Sequence, residues 1–384
     1  MIIGIDATNL LQGGGQTHLI EFLSSLDKNR HDFSKVVLWG SKNLIDKIPT
    51  RSWIESISYD IFEKNIVHRT FWQITKMKAD VIQKGCTVLF VPGGNHLSNF
   101  SPTVTMCRNM LTFEKKEAAR YGISKMWFRL VILRFLHKRS FKKAEGLIFL
   151  TEYAKKTVQN QCKNISSKSI TISHGINKSF FQLPRIQKSI KEFKFLNLFK
   201  IVYVSKIDVY KHQVNVVKAF AEILTETNWP MSLKLVGPSY YPELERLENE
   251  ILKYKFEFDW ISYSGEVKYN ELPKLYQKAE LGIFASSCEN MPNILLEMMA
   301  SGIPIACSNI GPMLEIFGNK GAYFDPLKVN SIKKTLFDLI TNKSSRKKIA
   351  DYAYDRSKKY NWEKCTDNTV QYLKYIEKSE ELFV

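Results

Sequence analysis

Short apolar runs alternate with segments of helical periodicity along the whole chain, and this alternation constrains the fold more than any other feature. Such a pattern is typical of parallel sheets covered by helices. Each run is bounded by turn residues, as expected for buried strands. The predicted strands are 1–6, 36–39, 88–91, 104–106, 146–150 and 169–172 in the first half, and 200–204, 232–236, 261–263, 281–284, 305–306 and 322–324 in the second.

The even division of these runs predicts two similar α/β domains. A chain of 384 residues is also longer than one core usually organises. We predict a first Rossmann-like domain at 1–180 and a second at 181–361, joined near 177–198. Apolar spacing predicts a further helix within 362–384. This helix either packs as an ordinary element or crosses back onto the first domain.

The charge of the chain is positive and unevenly distributed. There are 56 Lys and Arg against 38 Asp and Glu, a net charge of +18. Residues 1–180 hold 27 basic and 13 acidic side chains, so their net charge is +14. An excess of this kind favours an anionic partner but says nothing about the fold.

Cysteine usage and the amino terminus favour a cytoplasmic location. The six cysteines form no C-x-x-C pair, so neither a zinc ribbon nor a redox dithiol is indicated. Scattered thiols suit a reducing compartment. The first ten residues carry no basic region of the kind found in signal peptides. No apolar run approaches the roughly 20 residues that span a bilayer.

The stretch 281–302 carries the clearest sign of a ligand site. A strand is followed by small polar residues, by Glu289 and by Pro292, which suits the first turn of a helix. Gly302 then ends the helix. A helix that begins at the carboxyl end of a parallel strand lies where α/β proteins bind ligands, and its free N–H groups attract anions. Glu297 lies about one turn further along this helix, near enough to face the same cleft.

Two lysines form a second candidate for anion binding. Ser205, Lys206 and Lys211 follow the strand 200–204. Two ammonium groups together with a helix terminus would neutralise a diphosphate. Lysines that follow strands are also common on solvated surfaces, so this signal is weak by itself.

A glycine loop, Gly13, Gly14 and Gly15, follows the first strand and opens a helix. Glycine lets the backbone approach a ligand closely. The loop lacks the third glycine of the dinucleotide fingerprint, and the chain has no G-K-[ST] of a P-loop.

Taken in order, these motifs resemble a known family. K-x4-K, E-x7-E and the glycine loop are similar to those of the retaining, nucleotide-sugar-dependent glycosyltransferases of family 4. The fragments that carry the resemblance are VSKIDVYKHQ, LKLVGP, YSGEV, SSCENMPNILLEMMASGIPIACS, GPMLEIFG and YFDP. The resemblance implies the GT-B fold, in which two Rossmann-like domains face a central cleft.

The resemblance also implies roles for the matching residues. Lys206 and Lys211 correspond to the basic pair that binds the donor diphosphate. Glu289 corresponds to the glutamate that holds the donor sugar, and Glu297 to the one that binds the ribose hydroxyls. Lys206, Lys211 and Glu289 are therefore the predicted catalytic residues. The other predicted donor-binding residues are Gly13, Gly14, Gly15, Ser205, Gly265, Val267, Asn290, Met291, Pro292 and Asn293.

The chain departs from the family pattern on the acceptor side. Many members carry a histidine after the strand near 104–106, whereas this chain has Cys107, Arg108 and Asn109. Arg108 and Asn109 resemble a variant found among enzymes of surface-polysaccharide assembly. His96 is a further acceptor-side candidate, although an ordinary loop histidine is an alternative. Lys206 replaces a frequent arginine and so lacks its bidentate fork.

The expected chemistry needs neither a metal nor a cofactor. Departure of the diphosphate develops negative charge, so stabilising that charge lowers the barrier. No D-x-D motif is present, and two lysines with a helix end supply comparable charge. Retention of configuration is implied by the family alone.

The segment 114–143 is strongly basic and interleaved with apolar residues. It holds ten Lys and Arg against two acids. This pattern is typical of a basic amphipathic helix at an anionic membrane surface, and it also fits a core helix with a solvated face. Nucleic acid is a poor candidate partner because no known binding motif accompanies the charge.

These observations predict a cytoplasmic glycosyltransferase, peripheral on the inner face of the membrane. Its donor would be a UDP- or GDP-linked sugar. Its acceptor would be a saccharide linked to a polyprenyl diphosphate, in O-antigen or capsule-type biosynthesis. The alternatives are a soluble enzyme that acts on a small acceptor and a non-catalytic module that binds sugar nucleotides or glycans.

Overall fold

The computed structural model describes residues 1–11, 13–162, 165, 168–254 and 260–381. The chain forms two compact units. The first unit contains Met1–Ala118, Ile123–Gly175 and the part from Tyr360 onward, and the second contains Ala119–Gly122 and Ile176–Lys359. The domain boundaries predicted from the sequence instead lie after residues 180 and 361. Residues 382–384 of the predicted final helix lie outside the described residues.

The first unit is built on a seven-stranded parallel sheet within the described residues. Its strand order is β3-β2-β1-β4-β5-β6-β7, so the winding direction reverses between β1 and β4. The strands are β1 (Ile2–Asp6), β2 (Lys35–Trp39), β3 (Ile54–Ile57), β4 (Val88–Val91), β5 (Thr103–Met106), β6 (Gly146–Phe149) and β7 (Ser169–Thr171).

Eight helices precede Gly175 in the described residues. They connect the strands of the first sheet, and most are short. They are α1 (Gly14–Ser25), α2 (Lys28–His31), α3 (Lys42–Ile45), α4 (Ile66–Thr75), α5 (Met77–Gln83), α6 (Lys115–Ala119), α7 (Lys125–Lys143) and α8 (Glu152–Gln161).

The second unit is built on a six-stranded parallel sheet in the order β10-β9-β8-β11-β12-β13, counted over the described part of the chain. Its winding direction reverses between β8 and β11. The strands are β8 (Phe199–Val204), β9 (Met231–Val236), β10 (Ile261–Tyr263), β11 (Leu281–Phe284), β12 (Ile305–Ser308) and β13 (Ala322–Phe324). The helices are α9 (Gln213–Thr227), α10 (Tyr241–Lys253), α11 (Leu272–Gln277), α12 (Asn293–Ala300), α13 (Met313–Phe317), α14 (Val329–Thr341) and α15 (Lys343–Ser357).

All twelve predicted strands are present, most of them within one or two residues of the expected ends. Strand β4 is buried along its whole length, as are β5, β6 and β11. Burial on both faces produces the continuous apolar runs of β4 and β11. The prediction of two α/β domains with parallel sheets is therefore confirmed.

Strand β3 was missed, so the prediction of six strands in the first half was wrong by one. It is an edge strand, and in the described part of the chain it pairs only with β2. All four of its residues are partly or fully exposed, including Glu55, which forms ion pairs with Lys35 and Lys84. A half-exposed edge strand needs no apolar run, and therefore it leaves little signal in the sequence.

A final helix, α16 (Trp362–Glu381), belongs to the first unit. It packs against α1 and β4. The Tyr372 hydroxyl accepts a hydrogen bond from the backbone N–H of Leu147 at 3.1 Å and donates one to the carbonyl of Lys168 at 2.6 Å. A Cβ on Gly146 would lie 2.9 Å from the Ile376 side chain. The helix thus completes the cover of the first sheet.

The predicted basic helix at 114–143 is two helices in the structure. α6 ends at Ala119, and α7 begins at Lys125 after Ser124, whose side chain accepts a hydrogen bond from the N–H of Trp127. Over the described residues, no helix combines the length and hydropathy needed to cross a bilayer.

Candidate functional site

The predicted donor-binding residues of the second unit lie where its strand order reverses. The chain that leaves β8 carries Lys206 and Lys211, and the chain that leaves the neighbouring β11 carries Glu289. The carboxyl ends of adjacent parallel strands at such a reversal are where open α/β sheets bind ligands. The topology therefore supports the location predicted from the sequence.

Lys211 and Glu289 are in direct contact. The Lys211 ammonium forms an ion pair with Oε1 of Glu289. Both side chains are largely buried, at 10% and 14% exposed. The ammonium also lies over the rings of Tyr210 and Phe284, at 5.1 Å and 5.4 Å from their centroids. Aromatic faces attract a cation, so the position of Lys211 is well defined.

Lys206 has a different carboxylate partner. Its Nζ lies 2.8 Å from Oδ2 of Asp208, which is 2% exposed. Oδ1 of Asp208 accepts hydrogen bonds from the Tyr121 hydroxyl at 2.7 Å and from the N–H of Val209 at 3.0 Å. Tyr121 belongs to the same compact unit. Asp208 was not among the predicted site residues, because an acidic residue between two lysines is typical of a solvated surface.

A second contact that was not predicted joins the loop after β8 to the loop after β11. The carbonyl of Tyr210 accepts a hydrogen bond from the N–H of Ser287 at 2.9 Å. Nε2 of His212 lies 2.8 Å from Oγ of the same serine. His212 has φ of 53°, which non-glycine residues rarely adopt. Lys211 is thus flanked on both sides by residues that bind the loop of Glu289.

The start of α12 differs slightly from the prediction. Pro292 is the N-cap residue with φ of −76° and ψ of 112°, so it precedes the first helical turn. Among the residues that the structure describes, no side chain caps this terminus. Oδ1 of Asn293 is buried and has no hydrogen-bond partner among the described residues. Asn290 and Met291 are buried just before the cap, at 6% exposed each. An uncapped terminus of this kind offers N–H groups to an anion.

Glu297 lies within α12 and is 4% exposed. Burial raises its pKa to about 8, although a hydrogen bond from Tyr269 acts in the opposite direction. Oε2 of Glu297 has no hydrogen-bond partner in the part of the chain that the structure describes. A buried carboxyl oxygen without a partner is costly, and ligand hydroxyl groups are suitable donors for it.

The remaining predicted residues of the second unit lie along the same sheet edge. Ser205 follows β8, and its N–H donates to the carbonyl of Val236 at 2.8 Å. The N–H of Gly237, which comes next, donates to the carbonyl of Gly265 at 2.8 Å. Gly265 has φ of 68°, and a Cβ there would meet no atom of the described residues within 4 Å. The nearby Val267 is half-buried.

In the first unit, the glycine loop that follows β1 contacts Arg108, which follows β5. Gly13 is the N-cap of α1 with φ of 74°, and Gly14 and Gly15 form the first turn. Nη2 of Arg108 donates to the carbonyl of Gly14 at 2.7 Å. Burial lowers the pKa of Arg108 to about 10, so the guanidinium remains charged near neutral pH. No ion pair involves Arg108 among the described residues.

The other two acceptor-side candidates, Asn109 and His96, differ in whether the side chain has a hydrogen-bond partner. Oδ1 of Asn109 accepts a hydrogen bond from the N–H of Leu111 at 3.1 Å, so it has a local structural role. His96 is 4% exposed, and burial lowers its pKa to about 4. Its backbone is hydrogen-bonded to Ser140 of α7, whereas its Nδ1 has no partner within the described residues.

A buried histidine pair was not predicted. The Nδ1 atoms of His18 and His174 are 2.9 Å apart, and both rings contact Trp362. Burial holds both pKa values well below the usual range, so both imidazoles are neutral. In the described residues, no three His, Cys, Asp or Glu side chains are grouped so that they could hold a metal ion.

Several solved structures share this architecture. A sucrose-phosphate synthase from Thermosynechococcus elongatus matches 100% of this chain and 99% of its own, with a TM-score of 0.75 at 16% identity. The Anabaena protein HepE, solved with UDP and glucose, matches 97% of this chain and 98% of its own, with a TM-score of 0.69 at 16% identity. The fold, with its two Rossmann-like parallel sheets, is therefore GT-B.

The sequence comparisons match part of the chain to one family. Residues 185–356, which lie in the second unit, match the family model described as "Glycosyl transferases group 1". The O-antigen chain mannosyltransferase B of Escherichia coli is 31% identical over 117 residues, which are 30% of this chain and 31% of that protein. The chain spans 31% to 60% of the length of the curated relatives it matches.

Proposed function

We propose that this chain is a retaining glycosyltransferase that transfers a sugar from a nucleoside-diphosphate donor to a saccharide acceptor. The observation that carries the proposal is the ion pair of Lys211 and Glu289 beside the uncapped start of α12. This arrangement combines a cation for the diphosphate, a carboxylate for sugar hydroxyls and a helix terminus that favours negative charge.

Donor binding rearranges this ion pair. The diphosphate carries more negative charge than one carboxylate, so it attracts the Lys211 ammonium away from Glu289. The carboxylate of Glu289 is then available to accept hydrogen bonds from the hydroxyls of the donor sugar. Lys206 approaches the diphosphate from its position on Asp208. Both lysines neutralise the charge that develops as the glycosyl bond breaks.

The reaction proceeds on one face of the sugar. Retention through a covalent intermediate would need a carboxylate nucleophile at the anomeric carbon. Glu289 and Glu297 are instead assigned to the donor sugar and to the ribose. The acceptor oxygen therefore attacks from the side of the departing diphosphate, and a phosphate oxygen receives the acceptor proton. No metal is needed, because the lysines and the α12 terminus supply the positive charge.

The donor carries UDP or GDP, and HepE, which shares the fold, was solved with UDP. The acceptor is a saccharide on a polyprenyl diphosphate, bound on the side of His96, Arg108 and Asn109. The likeness to an O-antigen mannosyltransferase supports a role in surface polysaccharide assembly on the inner face of the cytoplasmic membrane. The segment 114–143 contacts the anionic lipid there.

Calorimetry with UDP and with GDP is the first test. We expect one of the two to bind with micromolar affinity in the presence of EDTA. We then expect the matching sugar nucleotide to be consumed slowly by hydrolysis, and faster when a saccharide acceptor is added. Binding without any consumption would favour a non-catalytic module. Binding and turnover that both depend on a divalent metal would contradict the proposed chemistry.

A further inference from the structure

Helix α7 exposes apolar side chains along one face. Phe128, Val131, Ile132 and Phe135 follow the spacing i, i+3, i+4, i+7 and are 54%, 48%, 61% and 67% exposed. The opposite face is buried in the first unit through residues such as Leu130 and Phe141. The outward stripe therefore does not contribute to the core. Contiguous exposed apolar side chains of this kind mark interaction sites.

Basic side chains surround this stripe. α7 contains no acidic residue, and five of its lysines and arginines are exposed. On a helical projection all of them except Arg129 lie on the same half of the helix as the apolar stripe, and three of the five are in its last two turns. They are Lys125, Arg129, Arg139, Lys142 and Lys143. An apolar stripe flanked by cations is typical of helices that lie in the headgroup region of anionic membranes.

Helix α4 exposes a second apolar stripe. Val67, Phe71 and Ile74 follow the spacing i, i+4, i+7 and are 70%, 61% and 55% exposed. The opposite face is anchored by Trp72, which is 6% exposed and packs in the core of the first unit. α4 contains no acidic residue, and Lys76 and Lys78 follow it.

The two helices lie on the same face of the first sheet. The connection from β3 to β4 contains α4, and the connection from β5 to β6 contains α7. Both connections run in the same direction across the strand order. Because such crossovers are right-handed, they place their helices in one layer. The connection from β1 to β2 runs in the opposite direction and places α1 on the other face.

We propose that α4 and α7 together form one docking surface for an anionic lipid bilayer. Phe71, Phe128 and Phe135 enter the boundary between headgroups and acyl chains, and the lysines and arginines bind lipid phosphates. The charge favours an anionic bilayer as the partner of this surface. The two helices lack acidic residues and are flanked by lysines and arginines, so they complement an anionic bilayer better than they complement an apolar protein surface. The surface deepens the membrane contact proposed for 114–143 by adding a second helix, so it rests partly on the proposed function.

Vesicle flotation of the full chain tests this surface. One set of vesicles contains phosphatidylcholine alone, and the other also contains about a third of the anionic lipid phosphatidylglycerol. We expect binding to the anionic vesicles only, and loss of binding at high salt. Phe71→Ser and Phe135→Ser should each reduce the bound fraction about fivefold or more. Leu196→Ser is the matched control, because Leu196 is fully exposed in the second unit.

A variant that reverses charge tests the same surface without changing its apolar side chains. Lys142→Glu with Lys143→Glu should also abolish binding to anionic vesicles. Thermal melts check that each variant is folded. Undiminished binding by Phe71→Ser would overturn the two-helix surface, and so would equal binding to neutral vesicles. A dimer in light scattering that Phe71→Ser and Phe135→Ser convert to a monomer, with vesicle binding unchanged, would identify a second copy as the occupant.

Nucleotide calorimetry without vesicles separates this inference from the proposed function. We expect all these variants to bind the nucleotide as the wild type does. Failure of the wild type to bind any nucleotide, together with normal vesicle binding, would contradict the proposed function and leave the docking surface supported.

Discussion

Lys211 and Glu289 are 78 residues apart in the chain, and their side chains form one largely buried ion pair. The pair joins the loop after β8 to the loop after β11, at the point where the second sheet reverses its winding. Removing one member of a buried pair leaves the other charge without compensation. The two residues therefore hold each other in place until a ligand supplies other partners.

Replacement of Lys211 by alanine should nearly abolish turnover. The loss of one preorganised contact to developing charge typically costs about 3 to 4 kcal/mol, or about a hundredfold or more in rate. Donor consumption measures kcat/KM, and circular dichroism checks the fold. Lys348→Ala, at an exposed position of α15, is the control. Near-normal turnover by a folded Lys211→Ala protein would contradict the assigned role.

His212 should position Lys211 through Ser287. His212→Ala removes the hydrogen bond to Ser287 but keeps a Cβ at φ of 53°, whereas His212→Gly also relieves the backbone strain. We expect both variants to lose kcat/KM, and the glycine variant to be the more stable by about 1 kcal/mol. Urea unfolding measures the stability difference.

Ser287→Ala removes the same hydrogen bond from the other side. If the contact positions the lysine, His212→Ala combined with Ser287→Ala should reduce kcat/KM little more than either change alone. Fully additive losses would show that the two residues act separately.

Glu297 should make stability depend on pH. Its pKa is about 8 in the folded chain against an ordinary 4.5, so the folded state holds a proton that the unfolded state releases. The free energy of unfolding must then decrease as pH rises from about 5 to about 8.

Glu297→Gln should remove this contribution, and Glu271→Gln, at an exposed position, should not. Urea unfolding measures the difference at two pH values. The first, pH 5.5, is about half a unit above the lower end of this range, and the second, pH 8.5, is about half a unit above its upper end. Equal pH dependence of the wild type and Glu297→Gln would rule out the raised pKa.

Two glycines at the same sheet edge should respond differently to alanine. A Cβ on Gly237 would lie 2.2 Å from the carbonyl oxygen of Ser205, whereas a Cβ on Gly265 would meet no atom within 4 Å. Both have positive φ. Gly265→Ala should therefore lose only about 1 to 2 kcal/mol of stability from backbone strain, and Gly237→Ala should lose more and also displace Lys206. Thermal melts and nucleotide calorimetry measure both effects, and equal melting temperatures for the two variants would contradict the steric argument.

The sequence was sufficient to predict the strands that are buried on both faces. Strand β11 is an uninterrupted apolar run that ends in small polar residues, and its ends were predicted correctly. Strand β3 was missed because an edge strand can be polar on its exposed side. The position of the candidate site could also be predicted, because parallel strands place the residues that follow them at one edge of the sheet.

The partners of the site residues could not be predicted in the same way. Asp208 is buried and accepts a hydrogen bond from Tyr121, which lies in a distant segment of the chain. The contact of His212 with Ser287 likewise depends on how two loops from neighbouring strands meet. Short-range sequence patterns record periodicity and turns, and they carry no information on which distant polar groups will be neighbours. The roles assigned to the site residues themselves stay predictions until the variants above are measured.

The placement of α16 has a consequence for how the protein is made. The cover of the first sheet includes a helix that the ribosome synthesises only after the entire second unit. Domains usually fold in the order of translation, amino-terminal part first. Here the first unit cannot complete its cover in that order, because α16 is added only after the second unit has been synthesised.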